Sequence, residues 1–156
     1  MTRAAGEGSP GRVETWERLV RYHRVTTASM DDNLRTNCGH SLDEYDVLHQ
    51  IADHGTAPRM GELAARLLVA NSSCNRIVGR LVDSGHVRRL HGENDRREVR
   101  VDLTAEGRRL HRRMASVHTR DIERLFGAPL SPADHSALDA AMRQLMPEGN
   151  RSDIAV

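Results

Sequence analysis

Residues 59–104 read RMGELAARLLVANSSCNRIVGRLVDSGHVRRLHGENDRREVRVDLT, and this stretch decides the fold. In MGELAARLL, Leu63 and Leu67 recur with Ala64 and Leu68 at three- and four-residue spacing, which predicts a short helix with one apolar stripe. A second helix follows almost at once. Asn71 suits its N-cap, Cys74, Ile77, Val78 and Leu81 share one face, and Ser72, Ser73, Asn75, Arg76 and Arg80 share the other. Gly85 predicts its end. Beyond it, Val99, Val101 and Leu103 alternate with Glu98, Arg100 and Asp102 at the two-residue period of a half-buried strand, and HVRRL supplies its hairpin partner.

Two helices joined by a tight turn, the second with an arginine-bearing outer face, followed by a hairpin with Arg96 and Arg97 at its tip, match the winged helix that docks on duplex DNA. The charge distribution agrees. The net charge is only +1, yet residues 59–113 hold thirteen arginines against seven acidic residues, so the rest of the chain is acidic. A basic lobe on an acidic scaffold suits a phosphate-facing surface. All 23 basic residues are arginine; a coding bias explains this more cheaply than bidentate recognition does.

Outward from the lobe, residues 1–11 are small, polar and Gly-rich, and a disordered tail is expected there. Val13, Trp16, Val20, His23, Thr27, Met30 and Leu34 then form a helical seam longer than one winged helix can cover, which points to packing against another chain. Asn37, Cys38, Gly39 and His40 are expected to turn. Ser41 and Glu44 make a capping box for a helix reaching about Asp53 that buries Tyr45, Leu48 and Ile51 or Ala52. After the hairpin, Thr104 caps a long helix with Leu110, Met114, Val117, Ile122 and Leu125 on its apolar face, although Gly107 is a poor helix former. Ser131, Pro132 and Asp134 open a last helix with Leu138, Ala141, Met142 and Leu145 as its stripe; 147–156 reads as a tail.

The stretches SLDEYDVLHQIADHG, MGELAARLLVANSSCNRIVGRLVDSGHVRR, DRREVRVDLTAEGRRL and PLSPADHSALDAAMRQL, in this order, resemble the MarR family of winged-helix transcriptional regulators over roughly residues 12–146. The run from Asp95 to Gly107 is the most characteristic piece. The resemblance implies a mainly α fold with a small β wing (α+β). A winged helix-turn-helix lobe is expected at 41–104, with dimerisation helices at 12–36 and 105–146 forming one domain with it. Val13, Trp16, Val20, Leu34, Leu138, Met142 and Leu145 are then expected at the interface of a homodimer that sets the spacing of two reading helices on a palindromic operator.

Within the lobe, Asn71, Ser72, Ser73, Asn75, Arg76 and Arg80 are the expected DNA-binding residues, with Asn71 also able to serve as a cap. At the tip, Arg96 is assigned to DNA and Arg97 to the support of the turn with Asp95, an assignment that can be exchanged. A cavity for a small anionic aromatic effector, which the family resemblance suggests, is placed near Tyr22, His23, Met30 and Met60.

Other chemistries are poorly represented. No GxSxG, HExxH or glycine-rich phosphate loop occurs, so no enzyme and no cofactor is expected. Cys74 reads as a buried small hydrophobe and Cys38 as the more exposed thiol. The peroxide-sensing members of the family carry their cysteine within the first helix, which does not fit Cys38 in a loop. Of nine histidines, His111 and His118 share a helix face, with His23 and His40 near only through the fold. No HxxxH or CxxC pair exists, zinc-sensing relatives have a ligand where this chain has Tyr45, and no metal ligand is assigned. Metal- or thiol-responsive regulation on the same scaffold, or an effector-free architectural DNA protein, are the alternatives. No apolar run of membrane-spanning length is present, and a cytoplasmic protein is expected.

Overall fold

A computed structural model describes residues 11–91 and 99–146. The chain runs α1 (Arg12–Cys38), α2 (Leu42–Asp53), α3 (Met60–Leu67), α4 (Asn71–Asp83), β1 (Val87–His91), β2 (Val99–Leu103), α5 (Ala105–Ile122), a π-helical turn (Glu123–Gly127) and α6 (Pro132–Leu145). This is the mainly α fold with a two-stranded wing that the sequence predicts. The described residues divide into two compact units at His118 and Thr119.

In the first unit, α2 packs on α3 and α4, and β2 lies on α2 and α3. Leu48, Leu63, Val78, Leu81, Val101 and Met114 meet there with almost no exposed surface. Each such side chain contributes about 1.5–3 kcal/mol by leaving water. Val47, which the sequence reading left out, is fully buried beside them. The wing pairs antiparallel, with Val87 opposite Leu103 and His91 opposite Val99. Its base is fastened to the α2–α3 connection: Val101 N–H donates to Pro58 O at 3.0 Å and the Arg100 guanidinium donates to Ala57 O at 3.0 Å.

Helix ends follow the local chemistry. The Ser41 hydroxyl accepts from Glu44 N–H while the Glu44 carboxylate accepts from Ser41 N–H, closing the expected capping box of α2. α4 ends in a Schellman motif: His86 N–H bonds to Leu81 O, Gly85 N–H bonds to Val82 O, and Gly85 takes φ +75°. The Thr104 hydroxyl accepts from Gly107 N–H and caps α5. Gly107 has a reason to be glycine, because a Cβ there would lie 1.9 Å from the His86 carbonyl oxygen.

Four expectations need correction. Asn71 is the first residue of α4 and Ala70 holds the N-cap position, so no side-chain cap is made. Leu68 does not extend the stripe of α3; it ends the helix at φ 55° and is 70% exposed. α1 runs on through Cys38, which is buried at the end of the helix rather than exposed in a loop, and Gly39 in the left-handed region ends it. Leu34 is completely buried in the chain's own core and has no surface to give to a partner.

In the second unit, the Ser131 hydroxyl accepts from Asp134 N–H, and Pro132 opens α6 as predicted. His135 meets the Gly127 carbonyl at 3.0 Å and packs edge-on to Phe126. No residue of α6 is buried; Leu138 is half-covered, and Met142 and Leu145 are exposed.

Candidate nucleic-acid interface

Helix α4 is two-faced by construction. Cys74, Ile77, Val78 and Leu81 turn into the core, and this fixes the direction of everything opposite. Ser72, Asn75 and Arg76 are exposed in the first two turns, with Ser73 half-buried beside them. Asn75 spends its amide N–H on the Asn71 carbonyl at 2.9 Å, within the helix. Short side chains at the start of the helix let a backbone approach closely, and Arg76 supplies a long cationic donor one turn further on.

Arg80, on the same face, is placed differently from Arg76. Its Nε donates to Glu44 Oε1 at 3.1 Å, tying the outer face of α4 to the start of α2. Glu44 also accepts from Ser41 N–H and meets His40 Nδ1 at 3.0 Å. Burial pushes the Glu44 carboxyl up, but the bonds from Ser41, Arg80 and His40 outweigh it and hold the group below its ordinary range. His86 packs edge-on to His40, and burial, with His40 and Arg113 nearby, lowers its pKa. Arg80 therefore orients the helix as well as contributing charge.

Other arginines of the basic stretch are engaged within the chain. Arg66 donates to Gln50 and Asp53 of α2, Arg88 pairs with Asp102 across the wing, and Arg108 donates to Leu103 O at 2.8 Å. Counting charges along the sequence overstated the surface they leave. Arg89, exposed on β1, joins Arg76 as an outward cation that helical periodicity had no means of finding. Asp95, Arg96 and Arg97 lie outside the described residues.

Helix α1 carries an apolar row that its own unit leaves uncovered. Val13 is 71% exposed, Trp16 64% and Val25 62%, with Leu19 and Tyr22 also open; Val20 is half-buried. Of the four residues expected to line a cavity, Tyr22, His23 and Met30 lie on α1, while Met60 starts α3 and packs on the core. They line no described concavity together. One of about 430 Å³ lies instead at the base of the wing, where Ile51, Ala57 and Leu103 are joined by Arg108, His111 and Arg112. No described helix is long and apolar enough to cross a membrane.

Residues 39–98, spanning α2 to the edge of β2, match the model of the MarR family. The chain is 31% identical over 104 residues to the HTH-type transcriptional regulator PecS of Dickeya dadantii, covering 65% of this chain and 62% of that protein. It spans less than two thirds of the length of the curated relatives it matches. Among solved structures it is similar to AbsC, a MarR-family transcriptional regulator of Streptomyces coelicolor, with TM-score 0.78 and 26% identity over 88% of this chain and 95% of that one. A second MarR-family regulator of Streptomyces coelicolor, solved in complex with DNA, has TM-score 0.77 and 26% identity over 90% and 91% of the two chains. These similar proteins are transcriptional regulators rather than enzymes.

Proposed function

We propose that this chain, whose residues 39–98 match the MarR family model, is a winged-helix protein of that family and a DNA-binding transcriptional regulator acting as a homodimer on a palindromic duplex site. The observation that carries the proposal is the outer face of α4, where Ser72, Asn75 and Arg76 stand exposed on a helix whose other face is locked into the core. Asn71, at the start of that helix, is exposed and free of a capping role by side chain, so it joins the reading set. In this proposal residues 41–104 read the duplex. Arg76 and Arg89 contact it, Arg80 and Glu44 hold the reading helix in register, and Arg96 or Arg97 enters the minor groove from the wing tip while Asp95 supports the turn.

The helices at 12–36 and 105–146 pair two copies. Val13, Trp16 and Val20 of the first unit, and Leu138, Met142 and Leu145 of the second, each offer apolar surface to the partner copy, and Leu34 stays in the core of each copy. Pairing places the two α4 helices about one duplex turn, roughly 34–36 Å, apart. The regulatory half of the proposal is release of the DNA by a small anionic aromatic molecule. The concavity at the base of the wing combines apolar lining with Arg108 and Arg112, and serves this better than the neighbourhood of Tyr22, His23, Met30 and Met60.

The test is an anisotropy titration of the purified protein against duplexes from its own upstream region at several salt concentrations. Tight binding confined to a palindrome, weakening steeply with salt, supports the proposal. Equal binding to scrambled duplexes, or none at low salt, contradicts it.

A further inference from the structure

Helices α3 and α4 end in the same hydrogen-bond pattern. At the end of α4, Gly85 N–H donates to Val82 O at 2.9 Å and His86 N–H to Leu81 O at 2.8 Å. At the end of α3, Leu68 N–H donates to Ala65 O and Val69 N–H to Ala64 O, both at 3.2 Å. Each turn needs one residue in the left-handed region, which favours glycine because a Cβ crowds the backbone there. Gly85 fills that position after α4 at φ +75°, and Leu68 fills it after α3 at φ 55°. Among the described residues with positive φ, Leu68 alone is not glycine.

A leucine in this place gains little from the chain's own packing, since it is 70% exposed and Val69 beside it 39%. Ala70, Asn71 and Ser72 follow and are exposed too, so an apolar edge runs straight into the outer face of α4 at its N-terminal end. Backbone strain kept without packing to offset it points to a task for the side chain. On the base edges of the major groove the apolar group is the 5-methyl of thymine, while asparagine suits adenine. Leu68 and Val69, leading into Asn71, therefore match A·T pairs.

We propose that Leu68 is a specificity-determining residue that packs on a thymine 5-methyl group in each half of the duplex site, with Val69 at its flank. This rests on the reading of α4 as the DNA-facing helix. The two backbone bonds of the turn hold Leu68 at a fixed place before Asn71, so little order has to be imposed on binding. Helical spacing hides the role, because Leu68 falls on the apolar stripe of α3 and reads as core.

The test uses the full chain and the duplex it protects in its own upstream region. Thymines of one half-site are replaced in turn by deoxyuridine, which lacks only the 5-methyl, and affinity is followed by anisotropy. At one position the wild type should lose about fourfold, the effect of one buried methyl group. Leu68→Gly should bind the natural duplex at least about fourfold more weakly, melt no lower than the wild type, and respond to deoxyuridine at that position by less than about twofold. Leu68→Asn, whose side chain tolerates the left-handed turn, should lose the same discrimination. The inference is overturned if selective binding persists and Leu68→Gly matches the wild type, or if deoxyuridine costs both proteins alike. Absence of any selective binding by the wild type would instead sink the DNA-facing reading of α4, and this inference with it.

Discussion

At Gly107 a side chain would meet the His86 carbonyl oxygen at 1.9 Å, and the neighbour is backbone that cannot swing aside. Gly107→Ala should therefore lower stability by about 3 kcal/mol, the upper range for overpacking, seen as a fall in the urea midpoint. Leu68 is the reverse case. It holds φ 55° at the turn between α3 and α4 with most of its surface in water, so little packing offsets the cost of that conformation. Leu68→Gly should stabilise the fold by about 1 kcal/mol in thermal melts; a loss of stability would show that the exposed leucine has a packing role. Arg76 tests recognition. Arg76→Ala should weaken specific DNA binding by about 1–3 kcal/mol, roughly tenfold or more, while leaving the melting temperature near the wild-type value. The sequence showed that Gly107 was an unfavourable helix residue, but only the fold shows which carbonyl excludes its Cβ.

Among the elements, α2 and α4 are joined through Glu44, and this makes their stability depend on pH. The bonds to Glu44 hold its folded pKa below that of an ordinary glutamate, so its contribution is present above the ordinary carboxylate range and is lost as pH falls through the folded pKa. His86 has a folded pKa below 6.5, so below that pH the unfolded chain takes up the proton first and folding weakens. His40, Arg80, Glu106 and Arg113 surround these two groups, and both signs agree. Urea midpoints should fall from pH 7.5 to 5.5 and again to 4. Glu44→Gln should cost about 1–3 kcal/mol at neutral pH and flatten the lower limb of that profile; an unchanged lower limb would mean that Glu44 does not couple the helices. The ends of these elements were legible because capping is local: Ser41 with Glu44, Thr104, Gly85, and Ser131 with Asp134 all lie within a few residues of what they satisfy. The Arg80 to Glu44 bond spans 36 residues and the His49 to His111 contact 62, and no periodicity encodes such meetings. The seam of α1 was half legible for the same reason. Helical spacing puts Trp16 and Leu34 on one row, but only the neighbouring α2 decides that Leu34 is already covered.

For the whole molecule, the exposed row of Val13, Trp16, Leu19, Tyr22 and Val25 is more apolar surface than an isolated helix keeps in water. In the proposed homodimer two copies cover it, which would fix the spacing between their α4 helices. Trp16→Glu combined with Val25→Glu should shift sedimentation to the single-chain mass while the far-ultraviolet spectrum stays helical; a dimer that survives would move the interface elsewhere. The most direct measurement is footprinting of the protein on its own upstream DNA, with affinity followed across salt concentration. A homodimeric winged-helix reader should protect two symmetry-related half-sites about one duplex turn apart, lose affinity steeply as salt rises, and lose both half-sites together in the Trp16→Glu, Val25→Glu variant. Protection without half-site symmetry, or affinity indifferent to salt and to that variant, would contradict it.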